Sequence, residues 1–331
     1  MPNQTRVLIV GVGSIGERHT RCFQETGRVD LSICETNTRL RDEVATRYGL
    51  SEAFSEFEEA LDNPPEAAVI CTPAPLHVPI ATKLANAGVH LLIEKPLSTS
   101  LDGIDTLKAV VKQRGLVVAV GYSWRSHPLV TALRQALLDE RFGRPVQLVV
   151  NAGQNFPYYR PAYREIYYND RATGGGAVQD ALTHLVNLGE WLVGPVTELA
   201  ADAAHQLLEG VLVEDTVHLI TRHGSVLGSY ALNQYQAANE CMITAICERG
   251  MVRIEPHKNR WRWITGPEDN WHDENLPPLK RDLQFVTQAN SFLDAIEGKS
   301  PPVCTLDEGL QTLRVNLAIL AAVDTRCWQT L

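Results

Sequence analysis

The sequence predicts an α/β protein of two domains. A doubly wound parallel sheet is expected over residues 1–125, and an α+β domain with a large, mostly antiparallel open sheet over 126–331. Three observations predict it. Through about residue 120, short apolar runs alternate with helical patterns. A glycine-rich turn joins the first run to the first helix. Beyond Gly143-Arg144-Pro145, strand-like runs follow one another without obligatory helices. Buried strands separated by helices form parallel sheets covered on both faces, with right-handed crossovers.

In order, the first-domain strands are Val7–Val10, Leu31–Cys34, Ala68–Cys71, Val89–Ile93 and Leu116–Gly121, apolar without alternation. Ile15–Thr26, Thr38–Tyr48, Ser55–Asp62, Pro79–Ala87 and Ile104–Lys112 read as the helices between them. Then come strands Val146–Ala152, Val196–Ala203, Thr216–Thr221, Ser225–Leu232, Met242–Cys247, Met251–Glu255 and Arg260–Ile264. Arg222-His223-Gly224 and Glu248-Arg249-Gly250 supply turns between neighbours. Helices Ala177–Leu192, Phe285–Ile296 and Leu306–Val323 are expected to cover one face of that sheet. The polar stretch Gly266–Leu279 reads as an exposed excursion.

The 331 residues are 44% hydrophobic and 21% charged, a globular composition. A net charge of −9 argues against a basic face for nucleic acid or anionic lipid. No basic stretch leads into a long apolar one at the N-terminus, so no secretion leader is expected. The longest apolar run, Leu317–Val323, is too short to span a bilayer. The seven cysteines are scattered and never spaced Cys-x-x-Cys, which favours neither disulfides nor zinc. A soluble cytoplasmic protein without a metal is expected.

Gly11-Val12-Gly13-Ser14-Ile15-Gly16 follows the first strand and opens a helix. Gly11 permits a tight turn, Gly13 close approach of a pyrophosphate, and Gly16 close helix–strand packing; together they make a dinucleotide-binding Rossmann fingerprint. The helix start presents free N–H groups and a positive dipole end to the phosphates. Glu35, at the end of the second strand, suits the adenosine ribose hydroxyls and opposes a 2′-phosphate. NAD is therefore favoured over NADP, although Arg39 and Arg41 lie close by in sequence.

Two more stretches complete a family pattern: Cys71-Thr72-Pro73-Ala74-Pro75-Leu76-His77, and Gly88 to Pro96 with its terminal Glu94-Lys95-Pro96. With Gly11–His19, Gly121-Tyr122-Ser123-Trp124-Arg125 and Gly174-Gly175-Gly176, they make the chain resemble the glucose–fructose oxidoreductase/inositol dehydrogenase (Gfo/Idh/MocA) family. The resemblance implies that Thr72, Pro73 and His77 line the dinucleotide and that Glu94 and Lys95 sit beside the nicotinamide ribose and ring. It implies a Lys95–Pro96 bond that is often cis. It also implies a homodimer or homotetramer formed through the second-domain sheet.

Hydride transfer from an alcohol needs a base for the hydroxyl proton, and histidine suits neutral pH. Asp180 and His184 are four apart, a spacing that puts both on one face of a helix. The resemblance makes His184 the general acid/base and Lys95 the holder of the substrate oxygen. It has Asp180 bind a second hydroxyl or pair with Lys95. Where the family pattern has an aspartate three residues after the histidine, this chain has Asn187.

Between Asn155 and Tyr168 stand five tyrosines and two arginines. Tyrosine stacks on sugar faces and arginine grips carboxylates. Tyr158, Arg160, Tyr163 and Arg164, with Arg125, are thus the candidate substrate-binding residues; the competing reading is a domain-packing loop. The expected enzyme is an NAD(H)-dependent oxidoreductase acting on a secondary hydroxyl of a sugar, sugar acid or polyol. Its alternatives are an NAD-dependent glycosidase working by transient oxidation and a non-catalytic NAD-binding sensor.

Overall fold

The computed structural model describes residues 4–331. The first three residues, which entered the expectation of no leader, lie outside them. The chain divides into two compact units, Met1–Ser126 with Asp282–Leu310 and His127–Arg281 with Gln311–Leu331. A single cut at 125/126 would give Asp282–Leu310 to the second domain, whereas its contacts are with the first.

In the first unit, β1 (Thr5–Val10), β2 (Val29–Cys34), β3 (Glu52–Phe54), β4 (Ala67–Ile70), β5 (His90–Ile93) and β6 (Val118–Val120) form one sheet. Its order is β3-β2-β1-β4-β5-β6, parallel throughout. Val7, Leu8, Ile9, Leu91, Leu92 and Ile93 have no exposure, the burial on both faces that unalternating apolar runs predict. Helices α1 (Ser14–Glu25), α2 (Thr38–Tyr48), α3 (His77–Asn86) and α4 (Ile104–Arg114) connect the strands, while Phe57–Asp62 is a 3₁₀ turn. The sequence reading missed β3, a three-residue edge strand.

The second unit contains α5 (Pro128–Leu138), β7 (Pro145–Gly153), the short α6 (Phe156–Tyr159), α7 (Thr183–Val193), β8 (Glu198–Ala204), β9 (Thr216–His223), β10 (Val226–Asn233), β11 (Glu240–Cys247), β12 (Gly250–Glu255), β13 (Arg260–Ile264) and β14 (His272–Asn275). Beyond these lie α8 (Leu283–Ile296), α9 (Leu306–Thr325) and β15 (Gln329–Thr330). The second sheet runs β14-β13-β12-β11-β7-β10-β9-β8-β15 and is antiparallel except between β7 and β10. In β9, Val217, Leu219 and Thr221 are buried while His218, Ile220 and Arg222 are exposed, so one face is covered. The covering helices are α5, against β12 and β13, and α7, against β7 and β10. The stretch Gly266–Leu279, expected as an exposed excursion, contributes β14, whose four residues are all exposed.

Helix α8 corrects the sequence reading, which gave Phe285–Ile296 to the second sheet. It packs on α1, and its Ala289, Phe292 and Leu293 join Val7, Ile9 and Phe23 in the first unit's core. Phe23 and Phe292 meet edge to face at 6.4 Å. An amphipathic pattern reveals an apolar stripe but not its partner. Within the second unit a buried polar seam ties α7 to α9. Asn316 donates to the Thr183 hydroxyl at 2.8 Å, Asn187 to that of Thr312 at 3.0 Å, and Thr312 to the Glu190 carboxylate at 2.6 Å.

Candidate active site

The glycine turn closes the end of β1. Gly11 has φ +83°, and a Cβ there would lie 3.2 Å from the Cys71 carbonyl carbon. A Cβ on Gly16 would collide with the Gly11 carbonyl, so the helix can settle on the turn only with glycine. At Gly13 a Cβ would meet nothing within 4 Å, and α1 starts there without a side-chain cap. An uncapped helix start beside open space fits a pyrophosphate, with Ser14 and Ile15 as its first residues.

Glu35 divides its carboxylate between two backbone donors, Val12 N–H at 3.0 Å and Asn37 N–H at 3.0 Å. It thereby pins the glycine turn to the end of β2. Neither nearby arginine neutralises it: Arg41 donates to the Glu35 carbonyl at 3.0 Å, and Arg39 pairs with Glu43 at 2.8 Å.

Thr72, Pro73 and His77 follow β4. The buried His77 imidazole lies between two carbonyls, Thr72 at 2.7 Å and Pro96 at 2.9 Å. Burial lowers its pKa against the pull of those carbonyls. The ring thus ties the Thr72 loop to the Lys95–Pro96 segment, whose peptide bond is cis. The Thr72 hydroxyl is buried without a hydrogen-bond partner among the described residues. An orphaned hydroxyl in this loop and the open ground above Gly13 both fit a dinucleotide. Glu94 is 5% exposed; one carboxylate oxygen accepts His19 Nε2–H at 2.7 Å and the other the Lys95 N–H at 3.1 Å. A Cβ on Gly121 would approach that carboxylate to 2.8 Å.

In the second unit the glycine triplet leads into a π-helical turn, Val178–Leu182, followed by α7. The four-residue step from Asp180 to His184 therefore crosses a widened turn and not the regular α-helix the spacing predicts. The glycines serve close approach, but to the unit's own chain. A Cβ on Gly175 would lie 2.6 Å from the Tyr167 carbonyl, and one on Gly176 would run into the Glu214 carboxylate. Glu214, 2% exposed, accepts from Val178 N–H at 3.1 Å and Arg171 Nε at 2.8 Å.

Asp180 is 3% exposed. It accepts a hydrogen bond from the Tyr167 hydroxyl at 2.5 Å and faces the Arg160 guanidinium at 3.4 Å. The Asp180 charge raises the Arg160 pKa. Burial first, and the same charge next, push up that of Tyr167, which stays a protonated donor. His184 stands partly buried at the start of α7.

The tyrosine- and arginine-rich segment splits between exposed and packed side chains. Tyr158 is 78% exposed, and half-exposed Arg160 meets Asp180. Tyr163 instead buries its ring with Phe156, Tyr168, Leu208, Val211 and Val213, its hydroxyl on the Glu209 carbonyl at 2.6 Å. Arg164 donates to that same carbonyl at 2.8 Å. Arg125 is buried in the first unit, where it donates to Glu308 at 2.6 Å and to the Val303 carbonyl at 3.0 Å. Sequence reasoning missed Tyr167 and His19. Nothing in a Tyr-Tyr pair says which ring turns inward, although a histidine three residues past the last glycine lies on the helix's sheet-facing side. Among the described residues no group of His, Cys, Asp or Glu could hold a metal.

Residues 5–122 match the model of an oxidoreductase family with an NAD-binding Rossmann fold, GFO/IDH/MocA, and residues 130–253 that family's C-terminal domain. UDP-N-acetylglucosamine 3-dehydrogenase of Acidithiobacillus ferrooxidans is 29% identical over 96% of this chain and 97% of its own. Levoglucosan dehydrogenase of Pseudarthrobacter phenanthrenivorans is 26% identical over 59% of this chain and 53% of its own, so the match spans about half of that protein. A solved levoglucosan dehydrogenase, in complex with NADH and levoglucosan, shares the fold with a TM-score of 0.90 at 20% identity over 99% of each chain. The WlbA dehydrogenase of Bordetella pertussis, in complex with NADH and UDP-GlcNAcA, does so at 0.84 with 25% identity over 99% of each.

Proposed function

The chain belongs to the GFO/IDH/MocA oxidoreductase family, and from that premise we propose that it is an NAD-dependent dehydrogenase acting on a secondary hydroxyl of a sugar, sugar derivative or polyol. The observation that carries this reading is the buried Asp180 carboxylate. It is held by Tyr167 and Arg160 one helical turn from His184, in a chain whose first unit is an NAD-binding Rossmann domain. The whole-length relative and WlbA, by name or bound ligand, handle hydroxyl-rich rings carried on UDP, and that substrate class is adopted here.

Gly11, Gly13, Ser14, Ile15 and Gly16 would hold the pyrophosphate, Glu35 the adenosine ribose, Thr72, Pro73 and His77 would line the dinucleotide, and Glu94 and Lys95 would sit beside the nicotinamide ribose and ring. When bound, the dinucleotide supplies the hydride acceptor or donor. In our reading Lys95 gives its ammonium to the substrate oxygen and stabilises developing negative charge there. His184 takes the hydroxyl proton in oxidation and returns it in reduction. Asp180 orients a second hydroxyl. Of the aromatic segment, Tyr158 and Arg160 are kept for substrate; Tyr163 is buried in the core and Arg164 is held on the Glu209 carbonyl, while Arg125, outside the segment, is buried against Glu308. Arg160 faces a carboxylate already, so a neutral ring fits it better than a sugar acid.

We assign the uncovered face of the nine-stranded sheet, where Ile220 and Leu227 are half-exposed, to contacts between copies of the chain. Light scattering should then give a dimer or tetramer. Seven free cysteines suit a reducing, cytoplasmic setting, which cell fractionation would test. For the activity, the test is a panel of UDP-sugars, free sugars, anhydrosugars and inositols with NAD, read as NADH formation. Turnover of at least one is expected; no turnover with any in either direction overturns the reading.

A further inference from the structure

We infer that Tyr167 is a positioning residue of the reacting centre, holding the Asp180 carboxylate in the orientation the reaction uses. The inference rests on the reading of Asp180 given above. Its geometry is confined to one unit. The Tyr167 hydroxyl lies 2.5 Å from Asp180 Oδ1, among the shortest contacts an O–H···O⁻ bond adopts. The residue as a whole is 38% exposed, yet its hydroxyl turns inward to a part-buried contact.

The backbone beneath it is fixed from several sides. The Thr173 hydroxyl donates to the Tyr167 carbonyl at 2.8 Å, and Gly175 passes close over the same atom. Its neighbour Tyr168 anchors the segment, with its ring in the Phe156–Tyr163 cluster and its hydroxyl on the Gln234 side-chain oxygen. Two adjacent tyrosines are thus divided: Tyr168 holds the loop to the core, and Tyr167 holds the carboxylate. Arg160 supplies charge at a looser 3.4 Å from the same Asp180 carboxylate oxygen and 3.5 Å from the other. Of these two contacts the phenol's is the shorter.

The test compares Tyr167→Phe with Tyr168→Phe in the full chain, each losing one hydroxyl. With the sugar the wild type oxidises best, Tyr167→Phe is expected to lower kcat about ten- to a hundredfold, the worth of a hydrogen bond to a charged group. Its melting temperature and its KM for NAD should stay near wild type. Tyr168→Phe should lower the melting temperature and leave kcat within about twofold. Unchanged kcat in Tyr167→Phe, or parallel losses of kcat and melting temperature in both variants, would overturn the inference. Should no sugar be oxidised, the proposed function falls and the link of Tyr167 to a reaction falls with it; NMR titration of ring-labelled tyrosine then decides the Tyr167–Asp180 contact alone. A Tyr167 phenol still protonated at about pH 11, and returning towards the ordinary value in Asp180→Asn, upholds it. A phenol that ionises at the ordinary value in the wild type overturns it.

Discussion

His19 and Glu94 form a buried pair, Nε2 to Oε1 at 2.7 Å, with 1% and 6% of their side chains exposed. Glu94 in turn receives the Lys95 backbone N–H, so the pair holds the main chain from which the proposed catalytic lysine projects. His19→Ala leaves a buried carboxylate without this partner. A stability loss of about 3–5 kcal/mol is expected, read by urea unfolding. His19→Gln, which keeps a donor, should lose markedly less; equal losses would show that the pair matters only for packing.

Two of the turn's three glycines should separate folding from binding. Gly13→Ala places its methyl in open space, so the variant should melt near wild type yet bind NAD at least tenfold more weakly by calorimetry. Gly16→Ala must push the Gly11 carbonyl aside and should lose stability whether or not NAD is present. A Gly13→Ala protein that binds NAD normally would move the pyrophosphate site elsewhere.

Glu35 should set the choice of nicotinamide cofactor. Its carboxylate is tied to two N–H groups but faces neither Arg39 nor Arg41. A 2′-phosphate would meet that unneutralised charge. Glu35→Ser should therefore raise kcat/KM for NADP relative to NAD by about tenfold or more, equivalent to about 1.4 kcal/mol. No change in that ratio would remove Glu35 from cofactor selection.

Lys95→Ala and His184→Ala should each lower kcat about a hundredfold or more while sparing NAD affinity. Near-wild-type turnover in both would sink the proposed roles. The wild type should form one NADH per sugar oxidised. Release of an aglycone without net NADH would identify transient oxidation and elimination instead.

Asp215 gives the second unit a pH-dependent anchor. Burial tends to raise its pKa, but the N–H groups of Leu208, Leu207 and Gln206 and the Thr216 hydroxyl outweigh it and hold it below 3.8. A depressed folded value means stability that is complete above the unfolded pKa and lost as pH falls through the folded one. Asp215→Asn should therefore destabilise the protein near pH 7 and flatten the loss of stability below about pH 4, as followed by urea unfolding. An equal offset at every pH would refute the anchor.

The sequence carried the parts of the fold that depend on local pattern. Unalternating runs such as Leu91–Ile93 and the alternation of β9 disclosed both sheets, and the Gly11–Gly16 pattern disclosed the turn between β1 and α1, where the dinucleotide is proposed to bind. It was silent where tertiary partners decide. His272–Asn275 is wholly polar and becomes a strand only by pairing with β13 at the sheet's edge. Helix α8 shows its apolar stripe, not the core that stripe joins. Tyr163 and Tyr167 are the same residue type four positions apart, yet one fills a core and the other holds Asp180, and only long-range packing distinguishes them.

The widened turn before α7 lets one helix serve two phases. Thr183, Asn187 and Glu190 lie at α-helical intervals on the stripe that meets α9, and counting back three residues puts Asp180 on that stripe too. The π turn breaks the count, and Asp180 faces Tyr167 and Arg160 instead. Such a turn amounts to one residue inserted into an otherwise regular helix. A chain shortened by one residue between Val178 and Leu182 would thus keep its seam with α9 while rotating the carboxylate out of reach of its partners.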